Sequence, residues 1–126
     1  MNTVQERQQS IIKECRDKLL AMKSEILNRS RFLLREFRSR ENITGDEADM
    51  VTYVLAEQNY LREQGRLQTR LIELDQALER ILRGTFGICE ETEEQIEAAR
   101  LLAVPWTTLS IEGAEMREAR QSRFAK

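Results

Sequence analysis

Residues 47–82 read EADMVTYVLAEQNYLREQGRLQTRLIELDQALERIL, and this stretch decides the fold. Tyr53, Glu57, Tyr60, Gln64, Leu67, Leu71, Leu74, Leu78 and Ile81 recur at alternating steps of four and three. That is a heptad seam sustained over four repeats, so a helix is expected from about Glu47 to Leu82 with a partner along its length. Glu57 and Gln64 are polar at seam positions, and Gly65 beside them costs about 1 kcal/mol of helix propensity. The middle of the seam is therefore expected to be weaker than its C-terminal part.

Working outward towards the N-terminus, Val4, Ile11, Cys15, Leu19, Met22, Ile26, Leu33 and Phe37 line one face of a segment from about Thr3 to Arg40. Ile12, Leu20, Leu27 and Leu34 widen the stripe. No Gly or Pro interrupts it, so it predicts one amphipathic helix, or two joined near Asn28–Ser30. Between the two segments, Asn42, Thr44 and Gly45 form turns and Asp46 is a good N-cap. A short turn makes sequence neighbours space neighbours, so the pair predicts an antiparallel coiled-coil hairpin, about 50 Å long at 1.5 Å per residue. Residues 42–50 would then form its tip.

On the C-terminal side, Gly84 and Gly87 stop the second helix. Glu90 to Leu102 carries Ile96, Ala99 and Leu102 at helical spacing, with Ala103 directly after; Pro105–Thr108 breaks it, and Thr108 is a candidate cap. A short charged helix over Ser110–Arg123 follows. The fold class is thus all-α: a long antiparallel coiled-coil hairpin over 1–83 and a small C-terminal helical head over 84–126. The head's core is expected from Phe86, Ile88, Ile96, Leu101, Leu102, Trp106 and Ile111, packed on the base of the hairpin.

Composition excludes several functions. The 126 residues hold 20 Lys+Arg, 22 Asp+Glu, no His, two Cys and one Pro, with net charge −2. Without His there is no Ser–His or Cys–His nucleophile and no His-ligated zinc. Two Cys cannot make a four-thiolate site, and free thiols in a reducing compartment are the simpler expectation for Cys15 and Cys89. Residues 1–45 carry net +4, while 46–83 and 84–126 each carry −3, which favours pairing of the two helices but gives no general case for nucleic-acid binding. No signal peptide or membrane span is expected, so the protein reads as cytoplasmic.

Asp46 and Asp49 are three residues apart at a helix start, on one side of it. They are either an N-cap with a first-turn acid, or carboxylates presented at the end of a probe to a metal ion or basic groups. Glu90, Glu91, Glu93 and Glu94 read as a solvated helix N-terminus. Trp106 reads as a local core anchor, and Cys89 as an idle thiol without an evident activating neighbour. Gly84–Gly87 lacks the Lys and Ser/Thr of a phosphate loop.

The Asp-x-x-Asp tip, Phe86-Gly-Ile-Cys89 directly after the second helix, and Ala103-Val-Pro105 in the following spacer occur in an order that resembles the DksA/TraR family of bacterial transcription factors. The resemblance covers about residues 30–123. It implies a coiled coil that enters the secondary channel of RNA polymerase, with tip acids Asp46 and Asp49 approaching the catalytic Mg²⁺ region. Val51 stands where the family usually has Ala, and Arg62 and Arg66 remain as polymerase contacts. The resemblance also implies a non-enzymatic regulator, expected as a monomer, that contacts no specific DNA sequence and no membrane. A Gre-type transcript-cleavage factor and a structural coiled-coil adaptor are the alternatives.

The family's four zinc-ligand positions fall on Cys89, Thr92, Ser110 and Gly113. One thiolate does not make a structural zinc site, so no zinc is expected and the head should fold independently of metal supply. Glu73, Val104 and Ala114 stand where the family often has basic residues, so the chain's own side chains offer little to ppGpp, whose cooperation stays open.

Overall fold

A computed structural model describes residues 3–41 and 47–124, and side chains over 3–40 and 50–124. It contains four helices: α1 (Thr3–Glu41), α2 (Glu47–Arg83), α3 (Ala98–Ala103) and α4 (Ile111–Phe124). No strand forms among the described residues; one isolated antiparallel bridge joins Ile88 to Gln95. The helix starting at Thr3 runs unbroken through Asn28–Ser30. No helix among the described residues is long and apolar enough to cross a membrane.

The chain divides into two compact units, one of residues 21–73 and one of residues 1–20 with 74–126. In the first, α1 and α2 run antiparallel. Arg29 pairs with Glu63, Ser30 with Gln64, and Phe37 lies against both Tyr60 and Tyr53. Leu33 is buried, and Leu67 and Leu71 are half-buried along the seam. Glu57 is not in the seam: it is exposed, and Ala56 one residue earlier is half-buried. A small residue there lets Phe37 and the two tyrosines fill the space between the helices, with Phe37 stacked on Tyr60 at 4.6 Å. Gln64 does not weaken the seam through an unpaired amide. Its Nε2 donates to the Ser30 carbonyl (3.0 Å) and its Oε1 accepts from the Ser30 hydroxyl (2.7 Å).

In the second unit, Cys15, Leu19, Leu74 and Ala77 are fully buried. Sealing a leucine such as Leu19 from water stabilises by roughly 1.5–3 kcal/mol. The head packs on this base as the sequence predicts. Cys15 Sγ donates to the Leu101 carbonyl (3.4 Å), Lys18 Nζ to the Leu102 carbonyl (2.9 Å) and Arg80 to the Trp106 carbonyl (3.4 Å). Gly84 ends α2 with φ +77°, its N–H donating to Ile81 and that of Thr85 to Arg80, a Schellman closure that needs a left-handed residue.

The head differs from expectation in three places. Residues 90–97 form turns rather than a helix, and only Ala98–Ala103 is helical. The acidic run is therefore not a helix N-terminus. Ser110, not Thr108, caps α4: its Oγ accepts from the Gly113 N–H at 3.0 Å, the N-cap to N3 bond. Phe86, Ile96 and Leu101 are buried as predicted, but Ile88 and Ile111 are exposed. Their places in the core are taken by Cys89, Pro105, Ser110 and Gly113, because a tight turn followed by a capped helix brings small residues inward.

Candidate functional site

Asp46 lies outside the described residues. Asp49 falls in the first turn of α2, which starts at Glu47, six positions after α1 ends at Glu41. Val51 is 65% exposed and does not stand alone. Met50, Val54, Leu55 and Leu61 are also exposed, giving the start of α2 an apolar outer strip about three turns long. Sequence reading missed this strip, although the signal was there: these apolar residues sit off the heptad seam. Arg62 and Arg66 are exposed further along α2.

The head brings together Cys89, Thr92, Ser110 and Gly113, which the family resemblance implied as the four degenerate ligand positions. Ser110 Oγ donates to Cys89 Sγ at 3.4 Å. The Thr92 hydroxyl also hydrogen-bonds the sulfur, and accepts the Glu94 N–H at 3.3 Å. Gly113 packs so closely that a Cβ there would sit 2.4 Å from Cys89 Sγ and 3.3 Å from Ser110 Oγ. The turn is closed by main-chain bonds from Cys89 N to Glu94 O (2.8 Å) and Glu93 N to Cys89 O (2.9 Å), with Glu93 held at φ +60°. Glu90 N adds a bond to Thr108 O at 2.9 Å.

This donor set does not fit zinc. One thiol, two hydroxyls and a glycine offer no soft tetrahedral shell. A side chain at Gly113 would also run into the Cys89 sulfur rather than share a metal with it. Among the described residues, no group of three or more His, Cys, Asp or Glu converges on a point. What remains is a hydrogen-bonded centre around one sulfur. Burial pushes the Cys89 thiol pKa up, but the hydrogen bonds from Ser110 and Thr92 outweigh it and bring it down to about 6. Cys89 thus has polar neighbours three and twenty-one positions away, which only the family resemblance grouped with it and whose effect on the thiol the sequence did not show. Cys15 is also a free, buried thiol; there burial dominates and raises its pKa, against a smaller effect of Lys18.

The acidic run has structural partners. Glu91 accepts from Arg117 (3.0 Å) and from Arg120, and Glu90 from Arg117 (3.4 Å). Those hydrogen bonds, Arg117 foremost, hold the Glu91 carboxyl below the usual carboxylate range. At the three positions where the resemblance implied basic residues in the family, Glu73 pairs with Arg70 (3.8 Å), and Val104 and Ala114 are half-buried.

Residues 84–119 match the family described as the prokaryotic dksA/traR C4-type zinc finger. The chain is 38% identical over 106 residues to the RNA polymerase-binding transcription factor DksA of Caulobacter vibrioides, covering 84% of this chain and 75% of that protein. It is 34% identical over 113 residues to an uncharacterised Aquifex aeolicus protein, covering 83% and 74%. Its structure resembles that of transcription factor DksA2 from Pseudomonas aeruginosa, with TM-score 0.83, 37% identity, and 90% and 87% coverage of the two chains. With an antiparallel helix pair, a capped turn after Phe86-Gly-Ile-Cys89 and these similarities along most of its length, the chain belongs to the DksA/TraR family of bacterial transcription factors.

Proposed function

We propose that this chain is a non-enzymatic regulator of bacterial RNA polymerase that acts as a cytoplasmic monomer from the enzyme's secondary channel. Asp46 and Asp49 at the junction of the two helices deliver negative charge towards the catalytic Mg²⁺ region and the mobile elements around it. Val51 belongs to the same tip, and Arg62 and Arg66 contact the channel walls.

The observation that carries this reading is the antiparallel pairing within 21–73, with α1 ending at Glu41 and α2 starting at Glu47. Such a junction is where a paired acid motif can be inserted into a narrow cleft. Two further points support it. The relative from Caulobacter vibrioides is named as an RNA polymerase-binding factor. The apolar strip of Met50, Val51, Val54, Leu55 and Leu61 suits burial against protein rather than free solution. The head serves as a metal-free support, and the chain's own side chains offer few cations to ppGpp, whose cooperation stays open.

Transcription from purified polymerase tests the proposal, with and without chelator. Asp46→Asn with Asp49→Asn should leave polymerase binding intact and abolish the effect on initiation. Chelator in the protein's own preparation should change neither its fold nor its activity. A double variant that regulates as well as the parent would overturn the tip mechanism. Release of short 3′ fragments from stalled complexes would instead assign a cleavage-factor role.

A further inference from the structure

Gln64 is the polar interruption of the seam, and its surroundings give it a role that composition does not suggest. Its amide makes both kinds of hydrogen bond to one residue of the opposite helix: Oε1 accepts from Ser30 Oγ (2.7 Å) and Nε2 donates to Ser30 O (3.0 Å). Nε2 also lies 3.3 Å from the Tyr60 hydroxyl. Tyr60 in turn stacks on Phe37 of α1, with ring planes 8° apart. The amide is thus satisfied on both ends in a part-buried layer, and every partner is fixed by packing.

The neighbours of Ser30 along the same face are all apolar. One turn in either direction brings Ile26, Leu27, Leu33 or Leu34 opposite Gln64. In any such slipped pairing the part-buried amide would lose both bonds to Ser30 and keep only the Tyr60 hydroxyl of its own helix, a larger cost than losing an apolar contact. The leucines and isoleucines of the seam discriminate poorly between registers one turn apart, because they are close in size and chemistry, while the Phe37–Tyr60 stack favours the same register as Gln64. The ion pair of Arg29 with Glu63 (2.9 Å) sits beside the layer but is half exposed, so it adds little discrimination. A single polar residue in an apolar seam is a known means of specifying register at some expense in stability.

We propose that Gln64 is a positioning residue: its paired hydrogen bonds to Ser30 select one register of α1 against α2 and so fix where the start of α2, with Asp49, stands along the helix pair. A slip of one turn would move it by about 5 Å. The inference rests on residues 21–73 alone and holds whatever site the helix pair addresses.

The test uses the full chain with nitroxide labels at Glu25→Cys and Gln58→Cys, both exposed positions, the native thiols being buried. These two sites are offset along the pair, so an axial slip changes their separation directly. The parent should give one narrow distance distribution. Gln64→Leu should keep or raise the melting temperature, since leucine suits a seam position, yet add a second population displaced by about 5 Å. A single parental distance in Gln64→Leu would overturn the proposal. So would failure of that variant to fold, because the layer would then be a requirement for stability rather than a selector of register.

Discussion

Ser110 Oγ donates a hydrogen bond to Cys89 Sγ at 3.4 Å, joining two residues that the family resemblance implies as former metal-ligand positions. The same hydroxyl accepts the Gly113 N–H at 3.0 Å. One side chain thereby caps α4 and ties that helix to the turn, two tasks that a metal ion would otherwise perform by bridging ligands.

Gly113 is the tightest point of this arrangement. Gly113→Ala would place a Cβ 2.4 Å from the Cys89 sulfur, too close without movement of a buried side chain. Chemical denaturation should show a loss of about 1–3 kcal/mol. In a Cys89→Ala background the same substitution should cost less, because the obstructing atom is gone; strictly additive losses would place the clash elsewhere.

The Cys89 thiol, held at about 6 by Ser110 and Thr92 against the effect of burial, makes stability depend on pH. The unfolded chain, with an ordinary thiol near about 8.5, binds more protons between the two values. Stability should therefore rise from about pH 6 towards 8.5, and this contribution should be lost as the pH falls through 6. Melting curves of Cys89→Ala across that window should lack the rise attributable to this group.

Glu93 occupies a left-handed conformation at φ +60° without being glycine. Removing its Cβ relieves steric strain, partly offset by the greater freedom of glycine in the unfolded chain. Glu93→Gly should stabilise the head by about 0.5–1 kcal/mol. Unchanged or lower stability would mean that the Glu93 side chain contributes a contact worth at least the strain.

Gly65 lies in the interior of α2, exposed, and a methyl group added at its Cα would meet nothing within 4 Å. Gly65→Ala should raise stability by about 1 kcal/mol through helix propensity alone. The Thr69 hydroxyl, which donates back to the Gly65 carbonyl at 3.0 Å, should be unaffected. A melting temperature that does not move would show that this part of α2 does not limit unfolding.

The two long helices were legible because their apolar period extends over many turns and no Pro interrupts it. The exact seam was less so: Glu57 satisfies the step of four, but Ala56 is the residue turned inward, since adjacent positions on a helix differ little in apolar pattern. The role of Gln64 was hidden because its partner Ser30 belongs to another segment. In the head, short-range pattern failed over 90–97. There the chain is held by bonds between distant residues, such as Glu90 to Thr108, and by a positive φ at a residue type that does not announce one. The convergence of Cys89, Thr92, Ser110 and Gly113 was legible only through the resemblance to the family, not through their own chemistry.

Gly113 is the only buried residue of α4, whose Ile111, Met116 and Phe124 are exposed. The helix is fastened mainly by its cap and by Arg117 and Arg120 reaching to Glu90 and Glu91. Charge pairs at a surface fade as ionic strength rises, whereas apolar burial does not. The C-terminal helix should thus be the first part of its unit to detach in concentrated salt, with amide exchange there quickening before the rest of the unit loosens.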